Sequence, residues 1–295
     1  MSLSNAPALK SSDAQVGEAL AAALPAIIMD ARRAAASIVI GEHGKSRAGI
    51  GEIFWQHREW VNGESVRQID WRRSARSDKL FVRERERQVP ALLQIWCDSR
   101  ASMNWRSAVS TPTKAERGLV LGLALAIATR AGGERVIALG ESVPFRNEGD
   151  FANVLLAQGQ NFEPTPKAGQ VLVVSDGLES PEIWSHRAKN IAAARAQLIV
   201  VLVSDRAEID FPYQGRNQFD APLTGAPIRP VIIGRAQMAQ DAYRLAYKAH
   251  FIAVERAIVA GGGMVMQHVT DLATMPVLVE LAKALSNAAP TRQVA

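Results

Sequence analysis

The chain has 295 residues, of which 48% are hydrophobic, 21% charged and 6% aromatic. This composition can build a sizeable buried core and excludes an intrinsically disordered chain. Lysine and arginine total 34 against 29 aspartate and glutamate, and this net charge of +5 does not by itself indicate nucleic-acid binding. The single cysteine, Cys97, excludes an internal disulfide and a multi-cysteine zinc site, and it favours a cytoplasmic location.

The first predicted element is an amphipathic helix over residues 13–39, because apolar side chains recur there at spacings of three and four. Its longest apolar run covers residues 19–29, which is shorter than the roughly 18 to 20 residues that cross a bilayer. We therefore expect a soluble protein without a membrane span.

A basic stretch follows, with nine basic and six acidic residues between positions 58 and 87. One interpretation is structural: a hairpin in which the alternating arginines and glutamates of residues 83–87 pair across strands, and which clamps the N-terminal part of the chain to the sheet. A second is a partner surface, because Trp71 can bury most of its ring among neighbouring arginines, a combination typical of interface hot spots. A third is nucleic-acid binding by the arginines of residues 67–87. The partner surface would consist of Asp70, Trp71, Arg72, Arg73 and Arg76.

After Pro90, short apolar runs alternate with longer amphipathic segments, which is typical of strands and crossover helices in a mainly parallel sheet. The predicted fold is a three-layer α/β/α sandwich, with residues 1–88 as a helical and β extension and 89–295 as the main domain. Residues 205–230 contain four prolines and are predicted to be a surface excursion. The predicted strands are 91–97, 135–139, 170–175, 198–203 and 264–269, and the predicted helices are 114–131, 150–157, 181–196, 236–259 and 274–285.

Two of the predicted strands end in an aspartate followed by turn residues, at Asp98 and Asp176. In an open parallel sheet the ligand site lies beyond the carboxyl ends of the strands, where the strand order reverses. We therefore expect both carboxylates at one edge of the sheet. Carboxylate and hydroxyl oxygens are ligands that Mg²⁺ prefers.

Residues 98–102 resemble the Asp-x-Ser-x-Ser start of the metal-ion-dependent adhesion site of von Willebrand factor A domains, and residues 175–177 resemble its later aspartate. Residues 63–76, followed by 80–84, resemble the signature of the DUF58 family. These are bacterial proteins with a von Willebrand A-like domain, usually encoded beside MoxR-type AAA+ ATPases. The resemblance covers about residues 40–180 and implies a Rossmann-like sandwich with a role in protein interaction.

The resemblance assigns Asp98, Ser102 and Asp176 as metal ligands, but Arg100 replaces the middle serine of the motif. Residues 146–150, where a threonine ligand is expected, contain none, and Thr165 lies at an unsuitable spacing. A guanidinium within about 4 to 6 Å of two carboxylates would offset their repulsion as a cation does. The sequence therefore favours a degenerate, metal-free site in which Arg100 takes the place of the ion, with Mg²⁺ binding as the alternative.

Several other patterns do not support catalysis. Gly44-Lys45-Ser46 lacks the earlier glycine of a P-loop, no Gly-x-Ser-x-Gly elbow occurs, and the five histidines have no ligand spacing. A metal-dependent hydrolase would need the missing hydroxyls and a base.

The resemblance to the DUF58 family implies a non-enzymatic, chaperone-like adapter whose partners are a MoxR-type ATPase and a client protein, and we expect no cofactor. The expected contact residues are Asp98, Arg100, Ser102 and Asp176, together with Asp70, Trp71, Arg72, Arg73 and Arg76. The alternative is a nucleic-acid or phosphate-binding protein that uses residues 67–87.

Overall fold

A computed structural model describes residues 7–42, 53–60, 69–76, 79–86, 92–108, 111–160, 162, 165–219 and 231–287. The chain forms two compact units, one of Met1–Glu42 with Ala91–Ala295 and one of His43–Pro90. This division differs from the predicted boundary at residue 88. The N-terminal helix belongs with the sheet because it packs against three of the helices of that unit.

The larger unit is built on a five-stranded parallel sheet, as the alternation of the sequence predicts. Its strand order is β4-β3-β5-β6-β9, so the chain order reverses between β3 and β5. The central strands are largely apolar because helices cover both faces of the sheet. The strands are β3 (Leu92–Cys97), β4 (Arg135–Ala138), β5 (Gly169–Ser175), β6 (Ala196–Ser204) and β9 (Met264–Val269).

Helices form the outer layers of this sandwich. Alternate residues of β5 point to opposite faces, with Leu172 and Val174 in one core cluster and Val171 and Val173 in the other. The first cluster includes residues of α1, α3, α4 and α8, and the second includes residues of α5 and α7. These helices are α1 (Pro7–Glu42), α3 (Lys114–Ala131), α4 (Glu148–Gln158), α5 (Pro181–Ala193), α7 (Gln240–Ala260) and α8 (Met275–Asn287).

The proline-containing excursion has short elements of its own. Helix α6 (Arg206–Asp210) follows β6, and strand β7 (Asn217–Phe219) pairs antiparallel with β8 (Val231–Ile233). Three of its prolines, at 222, 227 and 230, lie outside the described residues.

In the part of the chain that the structure describes, no helix combines the length and the apolar character needed to cross a membrane.

In its described residues, the smaller unit contains an antiparallel strand pair and one short helix. Strand β1 (Ile53–Glu59) pairs with β2 (Phe81–Glu86), with an irregularity between Phe54 and Gln56. Helix α2 (Trp71–Ser74) lies between them in the chain. The antiparallel pairing of β1 and β2 agrees with the predicted hairpin only in its strands, since residues 60–80, which include α2, separate them. Arg87, the end of the predicted charge ladder, lies outside the described residues.

Candidate functional site

The carboxyl ends of β3 and β5 lie side by side at the point where the strand order reverses. The Asp98 backbone N–H donates to the Val174 carbonyl at 2.8 Å, which extends the strand pairing by one residue. The Ser175 hydroxyl donates to Asp98 Oδ2 at 2.8 Å, and Asp176 follows directly. The structure therefore brings Asp98 and Asp176 to the same edge, the usual location of ligand sites in open parallel sheets.

Two nitrogens of the Arg100 guanidinium donate hydrogen bonds to the buried Asp98 carboxylate. Its Nε donates to Asp98 Oδ1 at 2.9 Å, its Nη2 donates to Oδ2 at 2.5 Å, and its backbone N–H also reaches Oδ1. Burial raises the pKa of Asp98, and the hydrogen bonds and charge of Arg100 offset that rise only in part. Asp98 depends on this guanidinium for its charge balance.

The Arg100 guanidinium also forms a second ion pair. Arg100 pairs with Glu179 at 2.9 Å, and Arg187 donates two hydrogen bonds to that carboxylate. Burial acts to raise the pKa of Glu179, but the two arginines outweigh it and the pKa is lowered. Asp98, Arg100, Glu179 and Arg187 therefore form one chain of alternating charges.

Asp176 does not pair with Arg100, which corrects the prediction that one guanidinium serves both carboxylates. Its partner is Lys114, whose side chain is 0% exposed and whose Nζ lies 3.2 Å from Asp176 Oδ2 and 2.6 Å from Glu208 Oε1. Burial acts to lower the pKa of Lys114, but the two carboxylates outweigh it and the pKa is raised. Burial raises the pKa of Glu208 in turn.

The sequence contains a signal for Lys114 that the motif comparison did not use. Thr113 caps α3 by accepting from the Glu116 N–H at 3.1 Å, and Glu116 accepts from the Thr113 N–H in return. This capping box makes Lys114 the first residue of a helix that is otherwise largely apolar. At this position the lysine lies at the edge of the sheet, and because it is buried its charge needs a carboxylate partner.

Asp205 is a third strand-end carboxylate, which the sequence analysis overlooked. It is buried directly after β6, and its Oδ2 accepts from the Ser107 N–H at 3.0 Å and the Thr270 hydroxyl at 3.4 Å. Its Oδ1 accepts from the Ala207 N–H and caps α6. The signal was the Ser204-Asp205 pair after an apolar strand, which repeats the Ser175-Asp176 pattern.

The donor set at this edge does not fit a bound metal ion. Both oxygens of Asp98 accept from Arg100, and those of Asp176 accept from Lys114 and the Leu178 N–H. A divalent cation would have to displace the partly exposed Arg100 and the buried Lys114 to reach these oxygens. Among the described residues, no group of three or more histidine, cysteine, aspartate or glutamate side chains is arranged to hold a metal.

Burial also limits which predicted contact residues a partner can touch. Asp98, Ser102 and Asp176 are all buried, with Ser102 in the tight turn Ala101–Met103. Of the predicted contact residues at this edge, only Arg100 is partly exposed, and its partner Glu179 is also partly exposed. The buried carboxylates therefore position the surface groups.

The basic segment places a tryptophan on the surface of the smaller unit. Trp71 is 59% exposed, so the expectation that its ring is mostly buried is wrong, whereas Ile69 is buried. Asp70 caps α2 by accepting from the Arg73 N–H at 3.2 Å, and this cap turns Trp71 and Arg72 outward. The exposed residues here are Trp71, Arg72, Arg73 and Arg76.

One comparison with known proteins gives a match. The profile of a family described as "Protein of unknown function DUF58" matches residues 56–147. The matched segment includes the exposed Trp71 surface, Asp98 and Lys114, and it ends before Asp176. No curated protein and no solved structure matches the chain.

Proposed function

From the match to the DUF58 family, we propose that the protein is a non-enzymatic interaction module with a von Willebrand A-like domain. In this proposal it acts in the cytoplasm as an adapter for a MoxR-type AAA+ ATPase during assembly or maturation of a client complex. The ATPase is inferred from the family resemblance described above. The single cysteine, Cys97, cannot form an internal disulfide, which suits a reducing compartment.

The observation that carries the proposal is the internal neutralisation of the strand-end carboxylates. Arg100 and Lys114 occupy the acceptor oxygens of Asp98 and Asp176 that a general base or metal centre would need free. A site whose charges are already paired can recognise another surface by shape and by charge at its rim. It is poorly suited to proton transfer or to nucleophilic attack.

Two surfaces are available for recognition. The first is the rim formed by Arg100 and Glu179, which the buried carboxylates position. The second is the exposed α2 segment, because tryptophan and arginine dominate the energetics of protein interfaces. The proposal assigns the ATPase and the client to these surfaces.

Affinity purification of the tagged chain from its native cell tests the adapter role. We expect wild type and the control Arg216→Ala, an exposed arginine elsewhere, to recover an AAA+ ATPase. Trp71→Ala with Arg72→Ala, both exposed, should lose it, as should Asp98→Asn, which weakens the hold on Arg100. Equal recovery by all four proteins, at matched melting temperatures, would contradict the assigned surfaces.

Isothermal titration with Mg²⁺ tests the charge-paired site. Because Arg100 and Lys114 already neutralise the carboxylates, we expect no binding tighter than millimolar. A micromolar constant that disappears in Asp98→Ala would overturn the metal-free interpretation.

The exposed Trp71 beside Arg72 and Arg73 also favours a second candidate, single-stranded nucleic-acid binding, since bases stack on exposed aromatic rings. Fluorescence anisotropy with a labelled oligonucleotide at several salt concentrations separates the two functions. Nucleic-acid binding would weaken by about 0.9 in log K per log unit of salt for each phosphate contacted in a duplex, or about 0.7 in a single strand. If the protein is an adapter, we expect either no oligonucleotide binding or binding that Trp71→Ala leaves unchanged.

A further inference from the structure

Helix α7 has a second apolar face besides the one that packs on the sheet. Phe251, Val254 and Ile258 are buried in the core. On another side, Leu245, Ile252 and Val259 are 72%, 38% and 54% exposed, and they lie seven residues apart. Met238, which is 77% exposed, continues this spacing in the turn before the helix. A line of large apolar side chains on the surface of one helix marks an interaction face.

Two alanines and an arginine occupy the positions between these side chains. Ala242, Ala249 and Arg256 are exposed and complete a sequence of alternating three- and four-residue steps with Leu245, Ile252 and Val259. That spacing is the core pattern of a coiled coil, in which each residue inserts between four residues of a facing helix. The pattern therefore predicts another helix as the occupant of this face.

The sizes of the side chains favour an antiparallel partner of the same sequence. In an antiparallel pair, Ile252 faces Ala249 of the second copy and Val259 faces Ala242, so two large residues lie opposite small ones, and Leu245 faces the aliphatic stem of Arg256. A parallel pair would place Arg256 directly against Arg256 of the second copy, which repels. Small residues also allow the two helices to approach closely.

Charges along the flank of this face select one register of the pair. Asp241, Lys248 and Glu255 are exposed, also seven residues apart, and none has an ion pair with another described residue. In the register described above, Lys248 lies beside Glu255 of the second copy, and symmetry makes this contact twice. Shifting one helix by seven residues in one direction places Lys248 beside Lys248 of the second copy. A shift in the other direction places Glu255 beside Glu255 of the second copy, and in both cases like charges repel.

We infer that two copies of this protein associate through antiparallel pairing of α7. The helix has 21 residues and is about 30 Å long at 1.5 Å per residue, enough for several layers of side chains. It is already folded against the sheet, so pairing does not carry the cost of helix nucleation that limits isolated short helices. This inference is independent of the proposed adapter function.

Sedimentation equilibrium over micromolar concentrations tests the pairing. We expect wild type to be a dimer and Leu245→Glu with Ile252→Glu to be a monomer of unchanged melting temperature, since both side chains are exposed. Leu272→Glu and Val143→Glu, at exposed apolar positions outside α7, should remain dimers. A monomeric wild type, which would leave this face to a different partner, or a dimer that survives the double change would overturn the inference.

Charge exchange and cross-linking test the register. Lys248→Glu and Glu255→Lys should each raise the dimer dissociation constant about tenfold, and the two together should restore it. Ala242→Cys with Val259→Cys in one chain should form intermolecular disulfides, whereas Ala242→Cys alone should not. Cross-linking of the single variant, or no restoration by the double charge change, would contradict the antiparallel register.

Discussion

Lys114 illustrates how a single buried side chain can organise a site. An ammonium group taken out of water is unfavourable unless opposite charges and hydrogen bonds compensate it. Asp176 at 3.2 Å and Glu208 at 2.6 Å supply this compensation, one from the end of β5 and one from α6. The lysine thus links α3, the end of β5 and α6.

Replacing Lys114 with methionine should destabilise the protein by about 3 to 5 kcal/mol, because it leaves the buried Asp176 carboxylate and the partly buried Glu208 carboxylate without their cation. Lys189→Met, at an exposed position on α5, should change the free energy of unfolding by less than about 0.5 kcal/mol. Urea denaturation of the three proteins at neutral pH measures the difference. Equal stability of both variants would show that the buried pairing contributes little.

His268 on β9 predicts a pH dependence of stability. Burial and the nearby positive charge of Arg117 lower its pKa to about 4, and its Nε2 is buried without a hydrogen-bond partner among the described residues. The folded protein therefore holds a neutral imidazole, whereas the unfolded chain binds a proton near pH 6.5. This contribution is fully present above about pH 6.5 and is lost as the pH falls towards 4.

The measurement is the free energy of unfolding at pH 7.5 and at pH 5 for wild type and His268→Leu. Wild type should lose more stability than the variant over this interval, because the variant has no imidazole to protonate. An identical loss in both proteins would assign the acid sensitivity to other groups.

At the scale of elements, α3 lies unusually close to the sheet. A Cβ added at Gly122 would come within 2.5 Å of Cys97 Sγ, and one added at Gly118 within 3.2 Å of Val174. The glycines let the helix backbone approach the ends of β3 and β5, which positions its first residue, Lys114, at the strand-end edge. The small thiol of Cys97 serves the same close packing.

Gly122→Ala should therefore destabilise the protein by about 1 to 3 kcal/mol through overpacking, despite the better helix propensity of alanine. Combining it with Cys97→Ala removes the colliding sulfur and should recover part of the loss beyond the sum of the single changes. Thermal denaturation of the single and double variants tests this coupling. Additive effects would mean that the contact with Cys97 is not the cause.

At the scale of the whole molecule, α1 is part of the sandwich although it lies far in the sequence from α4 and α8, two of the helices that it contacts. Its buried residues join the same core cluster as α3, α4 and α8, and Arg32 bonds Glu148 on α4 at 2.9 Å. Without α1 the apolar surface of these helices would be exposed to water. The buried residues of α1 are Leu20, Leu24, Ile27, Ala31, Ala34, Ala35 and Ile38.

Deletion of residues 1–42 should abolish the cooperative unfolding transition and promote aggregation, because it uncovers one face of the core. Deletion of residues 1–6 should leave the transition intact. Calorimetry and light scattering distinguish the two outcomes, and a cooperative transition in the longer deletion would contradict this role of α1.

The sequence by itself determined the elements and their layers. Strand β9 and helix α3 have their predicted bounds, and the other predicted strands of the parallel sheet differ by at most two residues at either end, because apolar runs and caps are local signals. It also predicted which strand ends carry Asp98 and Asp176. The DUF58 signature was likewise readable from contiguous residues and is confirmed over residues 56–147.

Only the tertiary structure decided how these charges pair. The partners Lys114 and Asp176 are 62 positions apart, and Lys114 and Glu208 are 94 apart, so no local pattern links them. Burial of Asp98 and exposure of Trp71 were equally undetermined, since a side chain's environment depends on elements distant in the chain. The strand order creates the edge where these groups meet, and that order is a property of the assembled sheet.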